Sequence, residues 1–412
     1  MPSIKKEAER CLKCKKPACS AHCPVFTPIP QVMELFLKGD IKKAGELLFI
    51  NNPASAVTSI ICPHERNCCG HCVLNKKDAP VEFYRVEQYI SRFYLETIEI
   101  PKIKKNGIKV AVAGAGPAGI TMSILLLMNG YNVTLFEAED NIGGVLRYGI
   151  PPFRLPRDIL ELYKSILLRM GVQFRPNTRI GSNIMIEDLF PDGYKAVFVA
   201  TGTGRPNRLG LLGETLGHVH FAVDYLKSPL SFKLGKRLAI IGAGNVAIDA
   251  ARTAIRCGCS DVKILHFKGK DDMTANRDEV EMAELDGVEF IHNVQAVRIM
   301  EDAVKCVHVN RYVREDGRID FEEDYGKAYD IPADTVIIAI GQGPSADITS
   351  SGVKLTQRGL FEVNEWGETG VPGVFAAGDI VSGQKTVIEA VAFTKRVFTR
   401  MDEYLKANST TV

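Results

Sequence analysis

Two units of strand, glycine-rich turn and helix constrain the fold of this chain more than any other feature of its 412 residues. The first unit comprises the segments 109–113, Gly114-x-Gly116-x-x-Gly119, 117–129 and 132–136. The second repeats this order in the segments 237–241, Gly242-x-Gly244-x-x-Ala247, an alanine-rich helix and 262–266. This order is typical of a βαβ unit that binds a dinucleotide. The chain is therefore predicted to be an α/β protein with two Rossmann-like dinucleotide-binding domains.

Two later apolar runs predict how these units are nested. Residues 196–202 and 335–341 each have the pattern of a strand that ends in a glycine turn. Each run is expected to return the chain from one of the two units, so one domain is predicted to be inserted in the other. The predicted division is a helical domain at 1–105, a first dinucleotide-binding domain at 106–229 and 341–412, and a second at 230–340.

The first glycine set has the full context that dinucleotide binding requires. It follows a strand, opens a helix, and is followed by Glu137 at the end of the next strand. Its three glycines let the backbone approach a pyrophosphate, and the helix N-terminus offers unpaired N–H groups with a partial positive charge. Glu137 is expected to accept hydrogen bonds from ribose hydroxyl groups.

The second glycine set differs from the first at two places that bear on the choice of nucleotide. Ala247 replaces the third glycine, a variant often met where NADP is used, and the next strand ends in His266 where the first has an acid. The neutral or cationic side chains of His266 and Lys268 tolerate a 2′-phosphate, which favours NADP(H) over NAD(H). Lys268 is alternatively a solvated surface residue, which leaves NAD(H) open.

Residues beyond the first unit resemble those of flavoproteins with two dinucleotide-binding domains. The similar segments are Gly143-Gly144-Val-Leu146 and, much later, Phe375-Ala-Ala-Gly378-Asp379. The resemblance implies FAD in the first domain, with the double glycine under the flavin and Asp379 on the ribityl chain. A helix that begins near Thr386 and Val387 would point its N-terminus at the N1/O2 edge of the flavin. The FAD-binding residues implied in this way are Gly114, Gly116, Gly119, Glu137, Gly143, Gly144, Leu146, Thr201, Gly202, Gly378, Asp379, Thr386 and Val387.

Eight of the eleven cysteines are clustered in the first 72 residues. Their order is Cys11-x2-Cys14-x4-Cys19-x3-Cys23-Pro24, then Cys62-Pro63-x4-Cys68-Cys69-x2-Cys72. In a reducing compartment such clustering indicates metal or redox chemistry and not disulfides. Cys–Pro endings are typical of ferredoxin-like ligation, whereas zinc is the alternative because it also binds four thiolates. The flavoprotein resemblance favours iron–sulfur clusters, since zinc has no redox role.

The chain as a whole resembles the glutamate synthase small-subunit family. Besides the cysteines, the similar segments are Tyr148-Gly-Ile-Pro-Pro-Phe-Arg-Leu-Pro156 and Ala339-Ile-Gly-Gln342. Relatives in this family include the N-terminal half of dihydropyrimidine dehydrogenase and the large subunit of NADH-dependent ferredoxin:NADP oxidoreductase. The resemblance implies two [4Fe-4S] clusters with crossed ligation. It assigns Cys11, Cys14, Cys19 and Cys72 to one cluster and Cys23, Cys62, Cys68 and Glu87 to the other. Gln88 is the alternative to Glu87, and Cys69 the alternative to Cys68.

Two segments depart from the family pattern. Phe83-Tyr84 stands where relatives usually have Ile-Gly. This difference bears on the local geometry of the helix that carries Glu87, and so on Glu87 as a ligand. His266-Phe267-Lys268 stands where relatives often carry two arginines, so recognition of a 2′-phosphate is expected to be weaker or altered. Cys257 and Cys259 lack the Cys-x-x-Cys spacing of thioredoxin reductases and are expected to be buried, inert thiols.

The resemblance implies an enzyme subunit that transfers electrons between NAD(P)H, FAD, the two clusters and a partner subunit carrying the terminal chemistry. The sequence contains no convincing Ser/His/Asp or paired-carboxylate site, so no catalytic residue is predicted. A self-sufficient NAD(P)H diaphorase and a non-catalytic redox scaffold remain alternatives. The net charge of +2 favours no nucleic-acid partner, and the longest central apolar run, 124–128, is too short to span a bilayer. The mostly charged N-terminus lacks a secretory signal, and a cytoplasmic protein is expected.

Overall fold

The computed structural model describes residues 2–314, 316, 318–349 and 352–408. The described residues of Met1–Arg147, Pro152–Thr203 and Gly343–Val412 form a larger unit, and those of Tyr148–Pro151 and Gly204–Gln342 form a smaller unit. The three-domain division of the sequence analysis stays a prediction, and its ends at 1 and 409–412 lie outside the described residues.

The N-terminal part of the larger unit is helical, as the sequence predicts. Its helices are α1 (Pro2–Glu9), α2 (Ala18–Ala21), α3 (Ile29–Leu37), α4 (Ile41–Asn51), α5 (Ser55–Ile61) and α6 (Phe83–Thr97). Helix α6 is amphipathic, because its buried side chains recur every three or four residues from Phe83 through Ile90 to Leu95. That stripe packs with residues of α1, α3 and α4 in one apolar core. Glu87 lies on the same buried stripe.

The larger unit also contains a parallel five-stranded sheet. Its strands are β1 (Lys109–Ala113), β2 (Asn132–Phe136), β3 (Gln173–Arg175), β4 (Tyr194–Val199) and β15 (Val374–Ala376), in the order β15-β4-β1-β2-β3. Its helices are α7 (Pro117–Met128), α8 (Val145–Tyr148), α9 (Arg157–Arg169), α13 (Ala346–Thr349), α14 (Asp379–Ser382) and α15 (Val387–Ala407). The predicted first βαβ unit is confirmed, with the strand bounds unchanged. β15 joins this sheet although the whole smaller unit precedes it in the chain.

The smaller unit is built on a second parallel five-stranded sheet. Its strands are β6 (Val219–Phe221), β7 (Arg237–Ile241), β8 (Asp261–His266), β9 (Glu289–His292) and β13 (Thr335–Ile338), in the order β6-β13-β7-β8-β9. Its helices are α10 (Ala222–Lys227), α11 (Asn245–Arg256) and α12 (Arg277–Leu285). The second predicted βαβ unit is therefore also confirmed. The strand predicted from 335 is confirmed as β13.

A three-stranded antiparallel sheet follows β9, and the sequence analysis did not predict it. Its strands are β10 (Val294–Ile299), β11 (Ala303–Val313) and β12 (Ile319–Pro332). β12 is an edge strand whose residues are mostly exposed, so it lacks the buried alternation that reveals a strand in a sequence.

The remaining regular segments are short. They are the strands β5 (Arg205–Pro206) and β14 (Gln342–Gly343), and 3₁₀ turns at Val73–Lys76, Glu187–Leu189, Pro229–Ser231 and Lys270–Asp272. A search of the described residues finds no helix with the length and apolarity that crossing a membrane requires.

Candidate functional site

Seven of the eight clustered cysteines line two adjoining cavities in the helical region. The outer cavity has an empty volume of about 480 Å³, and its wall includes Cys11, Cys14, Cys19, Cys68, Cys72, Leu12, Ile29, Val73 and Phe83. The inner cavity has an empty volume of about 350 Å³, and its wall includes Cys23, Cys62, Cys68, Glu87, Thr27, Ile29, Asn52, Thr58, Phe83 and Ile388. Ile29, Cys68 and Phe83 belong to both walls, so the two cavities are neighbours.

The outer cavity brings together the four cysteines that the resemblance implies for one cluster. The loop that carries Cys11 and Cys14 turns at Lys13, whose φ of 49° lies in the left-handed region. The Val81 N–H donates to the Cys72 Sγ at 3.5 Å, and hydrogen bonds to cluster sulfurs help to set a cluster's reduction potential. Burial raises the pKa of Cys19 to about 11, so iron binding must displace a proton from this thiol.

The inner cavity brings together three cysteines and one carboxyl group. Glu87 is only 8% exposed and faces the cavity from the buried stripe of α6. Gln88, the next residue along the helix, is exposed. The helix thus turns Glu87 toward the cavity and Gln88 toward solvent, and the choice of ligand stays a prediction. Cys69 is buried and its Sγ donates to the Val81 carbonyl at 3.6 Å, whereas Cys68 lies in the walls of both cavities.

Burial makes negative charge unfavourable on the acidic groups of the inner cavity unless a cation is bound there. Burial raises the pKa of Glu87 to about 8, and no hydrogen bond among the described residues lowers it. Burial and the neighbouring Glu87 raise the pKa of Cys62 well above its ordinary value. Burial also raises the pKa of Cys23, and the Thr27 hydroxyl at 3.2 Å opposes that shift. A buried set of acidic groups with few partners of their own is suited to a cationic metal centre.

The donor chemistry of both cavities fits an iron–sulfur cluster. Among the described residues, no three His, Cys, Asp or Glu side chains are close enough to hold one metal ion. A cubane cluster distributes its four protein ligands over four irons, so its ligands surround a volume and do not converge on one point. Soft thiolates around the outer cavity, and thiolates with one carboxylate around the inner cavity, are donors of the required type.

The first glycine turn joins β1 to α7 by a very close backbone approach. A Cβ at Gly114 would lie 2.5 Å from the Ala200 carbonyl oxygen, and one at Gly119 would lie 1.8 Å from the Gly114 carbonyl oxygen. A Cβ at Gly116 would meet only the Gly144 Cα, at 3.9 Å, which leaves space at the helix N-terminus where a phosphate group could approach. The Glu137 carboxylate lies beside this turn and accepts hydrogen bonds from the N–H groups of Ala115 at 2.7 Å and Glu139 at 3.0 Å.

The other residues implied for FAD lie around the same turn. A Cβ at Gly144 would lie 2.9 Å from the Gly116 Cα, and one at Gly378 would lie 3.3 Å from the Ala118 Cβ. The Gly143 N–H donates to the Ala115 carbonyl at 2.8 Å, and Leu146 is buried behind it. Thr201 and Gly202 directly follow Ala200, whose carbonyl oxygen Gly114 approaches.

The acidic residue Asp379 and the helix α15 occupy the C-terminal part of this cradle. Burial raises the pKa of Asp379 to about 6, and the Lys385 backbone N–H opposes that shift. Thr386 caps α15, which begins at Val387, and Glu389 completes a capping box. The predicted start of this helix is confirmed.

The second glycine turn repeats the first with different neighbours. A Cβ at Gly242 would lie 2.4 Å from the Ala339 carbonyl oxygen, while Gly244 is open and Ala247 is buried. His266 at the end of β8 is buried, and its Nδ1 lies 3.4 Å from the Nδ1 of His292. Burial, and then His292, lower the pKa of His266 to about 4. Lys268 lies over the rings of Phe267 and Phe321, with its Nζ 5.2 and 5.5 Å from their centroids.

One expectation about cysteines is wrong, and several wall residues were missed. Cys259 is buried as expected, but Cys257 is exposed, because it follows the last turn of α11 as the helix cap. The sequence analysis also missed Ile388 in the inner cavity and Phe321 beside Lys268. Neither carries a local signal, since each reaches its site from a distant part of the chain.

Comparisons with known proteins agree with this architecture. The family model described as pyridine nucleotide-disulphide oxidoreductase matches residues 108–393, and the model described as dihydropyrimidine dehydrogenase domain II, 4Fe-4S cluster, matches residues 2–98. The chain is 33% identical to the glutamate synthase [NADPH] small chain of Escherichia coli, over 94% of this chain and 88% of that one. It is 32% identical to the NAD-dependent dihydropyrimidine dehydrogenase subunit PreT of Salmonella typhimurium, over 97% and 94% of the two chains.

A solved structure supports the fold. FprA of Mycobacterium tuberculosis, in complex with NADPH, is similar with a TM-score of 0.63 and 18% identity, over 73% of this chain and 85% of that one. The chain therefore belongs to the pyridine nucleotide-disulphide oxidoreductase family, as an FAD-dependent oxidoreductase with an N-terminal 4Fe-4S domain.

Proposed function

We propose that this chain is an electron-transfer flavoprotein subunit that moves electrons between NAD(P)H, FAD, two [4Fe-4S] clusters and a partner subunit. The observation that carries the proposal is the pair of adjoining cavities, each lined by a ligand set suited to one cluster. Two similar proteins are named as a small chain and as a subunit, which supports a partner for this chain as well. The partner would be of the glutamate synthase or the ferredoxin:NADP transhydrogenase type, with or without electron bifurcation.

Each cluster has its own ligands in this proposal. The outer cavity would hold one cluster by Cys11, Cys14, Cys19 and Cys72, and the inner cavity would hold the other by Cys23, Cys62, Cys68 and Glu87. The burial of Glu87 and the exposure of Gln88 support the carboxylate as the eighth ligand. When bound, FAD would accept hydride from the nicotinamide and the clusters would carry single electrons.

The residues of the larger unit would bind and orient FAD. The open backbone at Gly116 and the N-terminus of α7 suit the pyrophosphate, and Glu137 suits a ribose. A Cβ at Gly144 would lie 2.9 Å from the Gly116 Cα, so a side chain at position 144 would not fit where the flavin would pass. Asp379 would accept from the ribityl chain, and the capped N-terminus of α15 would face the N1/O2 edge of the flavin.

The inner cavity would be the one next to the flavin. Ile388, in the first turn of α15, belongs to its wall, two residues after the cap Thr386. Ile388 packs with Val25, Ala54 and Val391 in a small apolar core that also touches Cys23 and Cys62. This core would exclude water between the flavin and the inner ligands, which favours electron exchange over side reactions.

The residues of the smaller unit would bind NADP(H) in preference to NAD(H). Gly242, Gly244 and Ala247 would accept the pyrophosphate, while His266 and Lys268 would lie near the 2′ position of the ribose. Residues 265–268 at the strand end include no acid, and Asp272 is the acid that acts on His266. The similar proteins leave the choice open, because one is named for NADPH and the other for NAD.

The composition of the purified protein tests this proposal. Anaerobically isolated chain should contain about eight iron atoms, as two [4Fe-4S] clusters require, and one FAD. NADPH should reduce the flavin, which is seen as a loss of flavin absorbance. With a dye as electron acceptor, the protein should oxidise NADPH catalytically. Zinc in place of iron would contradict the cluster assignment. A loaded protein that NAD(P)H does not reduce would instead be the redox scaffold, and full turnover with no partner would indicate a diaphorase.

Glu87 variants test the eighth ligand separately. Glu87→Ala should lose iron from the inner site on gel filtration, whereas Glu87→Cys should keep the iron and shift the cluster potential. The matched control is Gln88→Ala, at the exposed neighbouring position, which should change neither quantity. Unchanged iron and potential in both Glu87 variants would leave Cys69 or Gln88 as the fourth ligand.

A further inference from the structure

The two cavities differ in how much of their wall is also molecular surface. In the outer cavity, Leu12 is 63% exposed and Val73 is 44% exposed. In the inner cavity, none of the described wall residues is in the exposed class. One layer of apolar side chains therefore separates the outer cavity from solvent. Leu12 and Val73 together expose apolar surface in the wall of the outer cavity.

The loop that carries Leu12 is also strongly cationic. Lys13, Lys15 and Lys16 are exposed, and none of the ion pairs among the described residues involves them. Two acids of the neighbouring helices already have basic partners. Glu34 accepts from Lys38 at 2.6 Å, and Glu7 accepts from Arg10 at 2.7 Å. Three exposed positive charges thus lie within four residues of the exposed leucine, and of these Lys13 interacts electrostatically with Glu34.

An apolar centre with a charged rim is the usual form of a transient protein interface. The apolar centre excludes water on contact, while the rim charges steer the approach and select the partner. Two copies of this surface would place lysines against lysines, which disfavours self-association through it. An acidic surface would be attracted to it.

We propose that Leu12, Val73, Lys13, Lys15 and Lys16 form a docking surface for an acidic protein that exchanges electrons with this chain. The inference rests on the proposed function, because a partner docked here would exchange electrons with a cluster in the outer cavity. Docking here would bring the partner's redox centre to within one side-chain layer of the outer cavity.

Direct binding of two small haem proteins tests the proposal. The acidic probe is the soluble domain of cytochrome b5, and the basic probe of similar size is cytochrome c. The full-length, cofactor-loaded chain should bind the acidic probe more tightly at low ionic strength, and that affinity should fall steeply as salt is added. Binding is measured by titration calorimetry, so this readout does not depend on turnover.

Charge-reversal variants locate the effect. The triple variant Lys13→Glu, Lys15→Glu, Lys16→Glu should weaken binding of the acidic probe at low salt by about tenfold or more and should flatten its salt dependence. The matched control changes three exposed lysines outside the helical region: Lys195→Glu, Lys233→Glu, Lys236→Glu. It has the same net charge and should retain most of the affinity. Leu12→Ser should weaken binding without changing its salt dependence.

Each result bears on one claim. Equal losses in the triple variant and its control, or equal binding of the two haem proteins, would overturn the docking surface. Iron and FAD contents equal to those of the unaltered protein are required of every variant, so that a folding defect is recognised. Failure of NAD(P)H to reduce the flavin of the unaltered chain would count against the proposed function. Normal flavin reduction with unchanged binding in the triple variant would count against the docking surface alone.

Discussion

The two glycine turns of this molecule are alike at the first position of the motif and differ at the third. Gly114 and Gly242 both have a positive φ, of 98° and 116°, and in each case an added Cβ would strike a carbonyl oxygen of the neighbouring strand's end. The third position differs. Gly119 leaves no space for a Cβ, whereas Ala247 carries one and is buried. The first position thus requires glycine because the neighbouring strand's end lies too close for a side chain. The residue at the third position depends on how closely the helix packs on the turn.

The strand ends beside the two turns differ in chemistry more than in burial. Glu137 and His266 are both buried, and burial favours the uncharged form of each, since it raises the pKa of Glu137 and lowers that of His266. Glu137 is held by two backbone N–H groups, which also support its charged form. His266 has a second histidine beside it, and the charged groups that act on it are Asp272 and Lys268. In the proposed function this position would meet a ribose hydroxyl in the larger unit and would lie near the 2′-phosphate in the smaller unit.

The largest effect is expected from exchanging the third residues of the two turns. The Cβ of Gly119→Ala would lie 1.8 Å from the Gly114 carbonyl oxygen, so α7 must move away from the turn. We expect a loss of about 3 kcal/mol in stability, at the upper end for overpacking, together with loss of FAD. Ala247→Gly should cost only about 1 kcal/mol, through helix propensity, and should keep FAD. Thermal unfolding and flavin content after gel filtration measure both variants, and equal effects would break the comparison.

The next largest effect is expected at Lys268. If this side chain meets the 2′-phosphate, Lys268→Asp should weaken NADPH binding by about 10- to 150-fold, the range for a lost charge-assisted contact. NADH binding should change little, because NADH has no 2′-phosphate. Lys236→Asp, an exposed lysine of the same unit, controls for net charge. Fluorescence titration with both nucleotides gives the ratio of the affinities for NADPH and NADH. A ratio equal to that of the unaltered protein would mean that other residues set the selectivity.

The sequence predicts local structure here better than long-range contacts. The strands β1, β2 and β7 were predicted with the bounds observed, since glycine turns and buried apolar runs are local signals. The position of Phe321 beside Lys268 depends on the register of β11 with β12. The residues of β12 are mostly exposed, so its sequence lacks the alternating apolar pattern from which a strand is predicted. For the eighth ligand, the resemblance suggested Glu87 with Gln88 as the alternative, and the structure shows Glu87 buried in the cavity wall and Gln88 exposed.

A smaller effect is expected on stability at acid pH. The pKa of His266 is about 4 in the folded chain, against an ordinary value near 6.5, because of burial and His292. Between these values the unfolded chain binds a proton that the folded chain does not, so stability falls as pH falls from about 6.5 to 4. His266→Gln should reduce this fall by on the order of 1 kcal/mol at pH 5, after allowance for solvent screening. Urea unfolding at pH 7.5 and 5 measures it, with the exposed His308→Gln as control.

The smallest effect is expected at Phe321, which contacts Lys268 and would act through it. The Lys268 Nζ lies 5.5 Å from the Phe321 ring centroid, a cation–π distance that holds the charge near the end of β8. Phe321→Leu removes that attraction, worth about 0.5–1 kcal/mol, and should weaken NADPH binding by about 2- to 5-fold. NADH binding should not change, because the ring itself touches no part of the nucleotide in this scheme. Tyr325→Leu, an exposed aromatic of the same strand, is the matched control. An equal loss for NADPH and NADH would mean that Phe321 supports the fold of the hairpin and does not position Lys268.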